Sequence, residues 1–289
     1  MEHLRSYARL CRMPLSLFAA CSAGTGFLLG PHHAAVQALV PMLAVFLLAC
    51  GASALNQCQE QDIDAKMERT KRRPLPSGVM NPIVALAISL LLVAGGEIVL
   101  ALTGSMTAVL LGAFALLWYN VIYTLLKRAT AFAAVPGALV GMIPPAIGWI
   151  VAGGAAADRR LFIISILFFL WQVPHFWLQV LHHGEEYEQA GLPSLTRVMT
   201  KRQIARVTFV WICSAAAAGI LLPLYGAITS PVLYFSLMPA AVWIVLQGAG
   251  LLRTQQAVVR ARAAFRQLNA YIVFVMILLS AERIFAPLP

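Results

Sequence analysis

Apolar runs of about 20 residues recur along the whole chain and leave few folds open to it. A helix of that length crosses the hydrocarbon core of a bilayer, which is roughly 30 Å thick. The 289 residues are 61% hydrophobic and 11% charged, whereas a soluble domain carries about 25% charged residues. The sequence therefore predicts an all-α polytopic transmembrane bundle of about nine spans. The predicted spans are 14–30, 35–55, 80–103, 105–126, 130–152, 161–181, 207–226, 231–252 and 268–286.

Short connections join several of these runs. Thr103-Gly104-Ser105 and Pro31-His32-His33 are two such links, and links of this length force neighbouring helices to be antiparallel. We therefore expect one integral-membrane domain over 1–289 rather than separate domains.

Basic residues set the expected orientation of the helices. Loops on the cytoplasmic side of a membrane carry an excess of Lys and Arg. With the N-terminus cytoplasmic and the C-terminus outside, 18 of the 21 basic residues fall on the inside, and only Arg159, Arg160 and Arg283 do not. The inside segments are then 1–13, 56–79, 127–129, 182–206 and 253–267. This placement accounts for the net charge of +10, so nucleic acid is not an expected partner.

The inside loop at 56–79 carries a regular set of metal-binding residue types. Asn56, Glu60 and Asp64 are four residues apart, so they share one face if the second helix continues, whereas Asp62 points away. Magnesium is usually held by one or two carboxylates together with phosphate oxygens of a substrate. Basic residues suited to phosphate follow, namely Lys66, Arg69, Lys71, Arg72 and Arg73. A magnesium-bridged diphosphate site is favoured over a solvated charged loop with local ion pairs.

The sixth predicted span and the loop after it form a second constellation. His175 lies within the aromatic segment 171–177, where an ionisable residue in a membrane is costly without a partner. It is either a hydrogen-bonded core histidine or a contact for a flat aromatic or metal-bearing guest, and the residues alone favour the core histidine. The loop at 182–206 then adds Glu185, Glu186 and Glu188. Two acidic loops on one side of the membrane could face a common cavity.

A third group surrounds the predicted link at 127–129. Lys127 and Arg128 fit either a phosphate contact or a positive-inside anchor. Gly137, Gly141 and Pro144-Pro145 follow in the fifth span. Such residues kink membrane helices where neighbours or a cavity satisfy the freed backbone groups.

These segments together resemble the UbiA superfamily of intramembrane prenyltransferases, and within it the family of heme-farnesylating enzymes (heme O synthases). Asn56, Glu60 and Asp64 correspond to the superfamily motif Asn-x-x-x-Asp-x-x-x-Asp, with Glu60 where many members have Asp. The resemblance runs from the first helix into the ninth. The segments that carry it in this sequence are 64–75, 127–130, 141–149, 171–177 and Tyr187-x-x-Ala190-Gly191-x-Pro193.

The resemblance implies farnesyl transfer from farnesyl diphosphate to a vinyl group of heme b, with magnesium as cofactor. Each implied role falls on named residues. Catalytic roles fall on Asn56, Glu60, Asp64, Glu186 and Tyr187. The implied metal ligands are Asn56, Glu60, Asp64 and Glu186. Diphosphate contacts fall on Lys66, Arg69, Arg73, Lys127 and Arg128. Heme contacts fall on His175, Trp171 and Trp177.

Two other functions are weighed against heme farnesylation. Prenyl transfer to a quinone precursor or other aromatic acceptor would use the same fold, but it gives no reason for the segment at 171–177. A secondary transporter usually has charges at the midplane, whereas only Glu97 lies deep in a span here. By analogy, heme A synthase or a terminal oxidase would be a partner, with the enzyme in a bacterial inner membrane.

Overall fold

The computed structural model describes residues 2–31, 35–253 and 257–285 of the chain. These residues are mostly helical and contain no β-strand. The α-helices are α1 (Glu2–Leu10), α2 (Met13–Leu29), α3 (Leu39–Gln59), α4 (Gln61–Asp64), α5 (Pro82–Leu102), α6 (Met106–Leu116), α7 (Thr124–Ala129), α8 (Ala134–Gly137), α9 (Ile143–Val151), α10 (Arg159–Gln189), α11 (Leu195–Val198), α12 (Lys201–Leu221), α13 (Pro231–Ala249) and α14 (Ala257–Phe285). Short 3-10 or π segments lie at Ala35–Ala38, Leu117–Tyr123, Ala138–Met142 and Gly250–Leu252.

The predicted count of spans is confirmed. Within the described residues, eight helical segments are long and apolar enough to cross a membrane, and α2 adds a shorter apolar helix of 17 residues. The fourth and fifth spans are composite, because π or 3-10 turns interrupt them. His32, His33 and the side chain of Arg283, which entered the topology prediction, lie outside the described part of the chain.

Large apolar side chains cover the outside of the bundle. On α5, Ile83, Leu91 and Leu102 are 77%, 73% and 80% exposed. Leu224 and Phe235 expose similar surface elsewhere on the bundle. Exposed apolar surface of this extent would be unfavourable in water but is neutral against lipid tails. The fold is therefore that of an integral membrane protein.

Two layers of packing surround an interior cavity. On one side, α10 packs against α12 and α14, with α13 outside them. On the other side, α2 packs against α3 and α9, with α5 outside α3. A direct link joins the two sides, because Thr25 in α2 hydrogen-bonds Ser280 in α14 at 3.2 Å.

The close crossing of α2 and α9 in the wall of this cavity depends on glycine. A Cβ atom on Gly26 of α2 would overlap the backbone oxygen of Pro145, and one on Gly148 of α9 would overlap that of Ala23. Small residues allow backbones to approach in membranes, where van der Waals contact drives helix association. The α2–α9 wall is therefore held at a spacing that larger side chains would widen.

Two predicted helix ends differ from the structure. The prediction ended the sixth span at 181 and began the ninth at 268, whereas α10 runs to Gln189 and α14 begins at Ala257. Both helices continue into charged sequence, because polar residues such as Glu, Gln and Arg favour helix in water as well. The loop predicted at 182–206 thus begins as a helical extension of α10.

Glu282, near the end of α14, caps the start of α13. Its carboxylate accepts hydrogen bonds from the backbone N–H groups of Thr229 at 2.6 Å and Ser230 at 3.2 Å, and from the Thr229 hydroxyl. Ser230 is the N-cap residue of α13. A carboxylate at a helix N-terminus satisfies free backbone donors and interacts favourably with the helix dipole.

We expect Glu282→Ala to lower the free energy of unfolding by about 2 kcal/mol, since it removes a charged acceptor from the backbone donors of Thr229 and Ser230 at the start of α13. Thermal unfolding in detergent, followed by circular dichroism, measures the change. Glu282→Gln is the matched control, because it keeps a carbonyl oxygen and should lose less. Equal unfolding temperatures for Glu282→Ala and the wild type would refute this role.

Candidate active site

A cavity of about 640 Å³ lies between α2, α3, α9, α10 and α14. The side chains that line it divide into two regions. One region is charged, with Glu60, Asp64, Arg73 and Lys127 among its members, and the other is aromatic and surrounds His175. Ligand pockets of roughly 300–1,000 Å³ with a few convergent polar groups are typical binding sites.

Glu60 and Asp64 both face the cavity, although α3 does not continue through them. The helix ends at Gln59, Glu60 has φ −114° and ψ 18°, and the short helix α4 follows. Lys127 Nζ lies 2.5 Å from Glu60 Oε1, and Arg73 Nη1 lies 2.6 Å from Asp64 Oδ2. Each carboxylate is thus buried and paired with one of the cations predicted to bind diphosphate.

Asp62 points away from the cavity, as its position in the sequence predicts. Its side chain is 59% exposed, whereas that of Asp64 is 6% exposed. Asp62 pairs with Arg128 at 3.1 Å, and Arg128 also donates to the backbone oxygen of Gln59. Arg128, predicted as a diphosphate contact, therefore lies on the outer face of this turn.

Asn56 lies behind the two carboxylates and is fully buried. Its amide oxygen accepts a hydrogen bond from Arg12 Nη2 at 3.2 Å, and its amide nitrogen donates to the Thr124 hydroxyl at 3.3 Å. Asn56 is outside the set of residues that line the cavity. Its role as a metal ligand stays a prediction, and in this structure its amide orients Arg12.

Arg12 is a cavity residue that sequence reasoning did not single out. It precedes α2 with φ 44° and ψ 51°, and among the described residues it alone has positive φ without being glycine. Its Nη1 donates to the Tyr119 hydroxyl at 3.2 Å. Burial acts to lower the pKa of this guanidinium, but the nearby Tyr119, Asp64 and Glu60 outweigh that effect and raise it. A backbone conformation that costs of order 1 kcal/mol persists where the surroundings impose it.

The π-helical turn Leu117–Tyr123 brings aromatic side chains to the charged region. Tyr119 and Tyr123 both line the cavity, and their rings lie 5.9 Å apart. Lys127 Nζ lies 4.8 Å from the centre of the Tyr123 ring. Gly137 gives this ring its space, since a Cβ there would come within 2.5 Å of it. Such π turns are frequent at functional sites.

The loop after α4 docks onto the end of α10. The Arg69 backbone N–H donates to Glu186 Oε2 at 3.1 Å, and the Arg69 guanidinium donates to the Tyr187 hydroxyl at 3.3 Å. Arg69 and Tyr187 line the cavity, whereas Glu186 lies outside the lining and also contacts His183 at 3.0 Å. Lys66 is exposed outside the cavity. The two acidic loops are therefore joined through Arg69, and the facing of their carboxylates across the cavity stays a prediction, because Glu186 lies outside the lining.

The aromatic region is built on α10 and α14. His175 and Trp171 line the cavity with ring centroids 5.0 Å apart, and Phe265 of α14 lies 4.6 Å from the histidine. Trp177, also predicted to contact heme, is 3% exposed and packs edge-on against Trp211 outside the cavity.

The charged region fits a hard divalent cation that is shared with a substrate. Groups of three or more His, Cys, Asp or Glu side chains suited to a metal do not occur in the described residues. Magnesium needs fewer, because it is usually bound through one or two carboxylates with substrate phosphates and water. Glu60 and Asp64 supply two buried carboxylates on one cavity, so the donor set agrees with this mode of binding.

Sequence comparison agrees with this geometry. A chain from Geobacter sulfurreducens named protoheme IX farnesyltransferase is 42% identical over 217 residues, which cover 75% of this chain and 80% of the relative. A protein of the same name from Nitratidesulfovibrio vulgaris strain DP4 is 35% identical over 97% of this chain and 96% of its own.

Solved structures share the fold. A digeranylgeranylglyceryl phosphate synthase superposes with a TM-score of 0.74 over 99% of this chain and all of its own, at 18% identity. A UbiA homologue from Archaeoglobus fulgidus, solved with GPP and Mg²⁺, superposes with a TM-score of 0.66 over 95% of this chain and 99% of its own, at 14% identity. The sequence pattern of the UbiA prenyltransferase family matches residues 16–274. The chain therefore belongs to the UbiA prenyltransferase family and is a membrane prenyltransferase.

Proposed function

We propose that this prenyltransferase moves the farnesyl group of farnesyl diphosphate onto a vinyl group of heme b, giving heme O. The observation that carries the proposal is one cavity whose charged region suits a diphosphate and whose aromatic region surrounds His175. The relatives named protoheme IX farnesyltransferase support the choice of acceptor and donor.

The diphosphate is proposed to bind at the charged region. Lys127 and Arg73 would exchange their carboxylate partners for phosphate oxygens, and Arg12 and Arg69 line the same region. As the bond between C1 of the farnesyl group and oxygen breaks, the diphosphate leaves with the electron pair. Cations fixed in a site shielded from water stabilise that charge more in the transition state than in the ground state.

Glu60 and Asp64 would hold a magnesium ion, as the Mg²⁺-bound relative from Archaeoglobus fulgidus suggests. The ion would neutralise charge on the leaving diphosphate when bound. Asn56 and Glu186 remain proposed ligands; in this structure they bond Arg12 and the Arg69 backbone.

The carbocation formed at C1 needs protection from water and a nearby acceptor. Tyr119, Tyr123 and Phe176 line the cavity, and aromatic rings can stabilise a cation through their π systems. A vinyl carbon of heme b forms the new bond to C1. Water then adds to the resulting cation beside the porphyrin ring and releases a proton, which completes a hydroxyethylfarnesyl group. His175 and Trp171 are the proposed acceptor contacts, and no contact is proposed for Trp177.

We further propose that the whole chain acts as one domain in a bacterial inner membrane, with its N-terminus in the cytoplasm. The 18 basic residues on the predicted inside support this orientation. The charged region would then open towards cytoplasmic farnesyl diphosphate. Heme A synthase or a terminal oxidase remains the proposed partner for the product, by analogy alone.

The test supplies membranes containing the protein with heme b, farnesyl diphosphate and magnesium, and measures extracted hemes by mass spectrometry. We expect a heme with one added hydroxyethylfarnesyl group, and we expect it to disappear when a chelator removes magnesium. Membranes without the protein are the control. Unchanged heme b, with farnesyl diphosphate consumed on a quinone precursor instead, would overturn the acceptor assignment while leaving the enzyme class intact.

A further inference from the structure

His175 is held between two amide side chains at the aromatic end of the cavity. Its Nδ1 lies 2.9 Å from Asn269 Oδ1, and its Nε2 lies 3.4 Å from Gln179 Nε2. All three side chains line the cavity. Asn269 comes from α14, whereas Gln179 is four residues after the histidine on α10 and so shares its face.

These contacts define which ring nitrogen carries the proton. A carbonyl oxygen can only accept, so the contact with Asn269 requires a proton on Nδ1. An amide nitrogen donates, so the contact with Gln179 requires a lone pair on Nε2. Both contacts are satisfied by one state, the neutral imidazole with Nδ1–H. In a doubly protonated ring, Nε2 would also carry a hydrogen and would face the Gln179 N–H, so two donors would oppose each other.

The ring also has little freedom to rotate. Trp171 and Phe265 flank it at 5.0 and 4.6 Å, and Phe176 lies edge-on at 5.7 Å. Because Asn269 stands on a different helix from His175, its hydrogen bond ties the ring to the packing of α10 against α14. A histidine that binds a metal through one nitrogen commonly donates its other N–H to a fixed acceptor in this way.

We propose that Asn269 is a positioning residue that holds His175 in the Nδ1–H tautomer, so that Nε2 can coordinate the central metal of the porphyrin acceptor. Gln179 occupies the Nε2 lone pair when no acceptor is bound and turns aside when one enters. The inference rests on the proposed function, because it takes the acceptor to be a metalloporphyrin. In this inference the protein binds the acceptor through its central metal as well as through the porphyrin ring.

The experiment compares binding of heme b with binding of metal-free protoporphyrin IX to the purified full-length protein. We expect Asn269→Ala to weaken heme b binding about tenfold to a hundredfold, the usual effect of losing such a partner, and to leave binding of the metal-free ring unchanged. His175→Ala should remove the preference for the metal-containing ring altogether. Gln267→Ala is the matched control, since this amide lies on the same helix but bonds Gln247 at 2.8 Å.

A conservative variant separates positioning from packing. Asn269→Asp keeps an acceptor for Nδ1–H and strengthens it, so heme b should stay bound with an iron–histidine stretching frequency above that of the wild type in resonance Raman spectra. An equal loss of both porphyrins in Asn269→Ala, or an unchanged spectrum in Asn269→Asp, would overturn the inference. Failure of the proposed function looks different, because the wild type itself would then form no farnesylated heme. A wild type that farnesylates heme b but binds it no more tightly than the metal-free ring would overturn this inference alone.

Discussion

Replacing Asp64 by Asn should reduce formation of farnesylated heme at least a hundredfold while the protein still folds. The substitution keeps the size of the side chain but removes a buried negative charge that faces the cavity and pairs with Arg73. A divalent cation contributes several kcal/mol of transition-state stabilisation, so losing one of the two proposed carboxylate ligands should be costly. Initial rates at saturating magnesium, with product measured by mass spectrometry, give the effect.

Asp62→Asn provides a control of identical chemistry two residues away. Asp62 is exposed and contacts Arg128 outside the cavity, so its loss should change the rate less than twofold, as expected for a surface ion pair. Circular dichroism and size exclusion in detergent check that both variants fold. Comparable rates for Asp64→Asn and Asp62→Asn would mean that the charged region is not where the diphosphate departs.

Arg12→Met should lower kcat/KM for farnesyl diphosphate about a hundredfold or more. The change removes a half-buried cation near Glu60 and Asp64, and it leaves the amide oxygen of Asn56 and the hydroxyl of Tyr119 without this partner. Losing one fixed donor to developing negative charge commonly costs this much. Titration with a farnesyl diphosphate analogue that cannot react separates weaker binding from slower chemistry.

Arg9→Met serves as the control for Arg12. Arg9 lies three residues earlier in α1 and is exposed, so the variant loses the same charge from the same end of the protein. It should keep close to wild-type kcat/KM. A loss of equal size in both variants would assign the effect to the general positive charge at this end of the membrane rather than to the cavity.

The number and order of the spans could be predicted from the sequence because the thickness of the bilayer sets the length of an apolar run that spans it. The sequence could not locate the ends of α10 and α14, since helices that leave the membrane continue as long as polar residues favour them. Nor did it predict the break of α3 at Glu60 or the π turn before Tyr123. Both depend on packing between helices that are distant in sequence.

The candidate site was predicted where its residues are concentrated in sequence and missed where they are isolated. Glu60 and Asp64 stand in an evident acidic motif, whereas Arg12 looks the same in sequence as the anchoring Arg5 and Arg9. A left-handed turn before α2, invisible in sequence, directs Arg12 into the cavity. Asn269 did leave a signal, because a polar amide within an apolar span is uncommon without a role.

The ion pairs of the charged region have a thermodynamic consequence for the proposed metal and diphosphate site. Glu60 and Asp64 are already neutralised by Lys127 and Arg73, so a divalent cation arriving alone must displace a protein cation, and a diphosphate arriving alone must displace a carboxylate. When both bind together, the divalent cation takes the carboxylates, and the diphosphate takes the Lys and Arg side chains that were paired with them. At the proposed site their binding would then be positively cooperative, and linkage would require the enhancement to be equal in both directions. The enzyme would select the metal–diphosphate complex over either component and leave inorganic ions in the cytoplasm largely unbound.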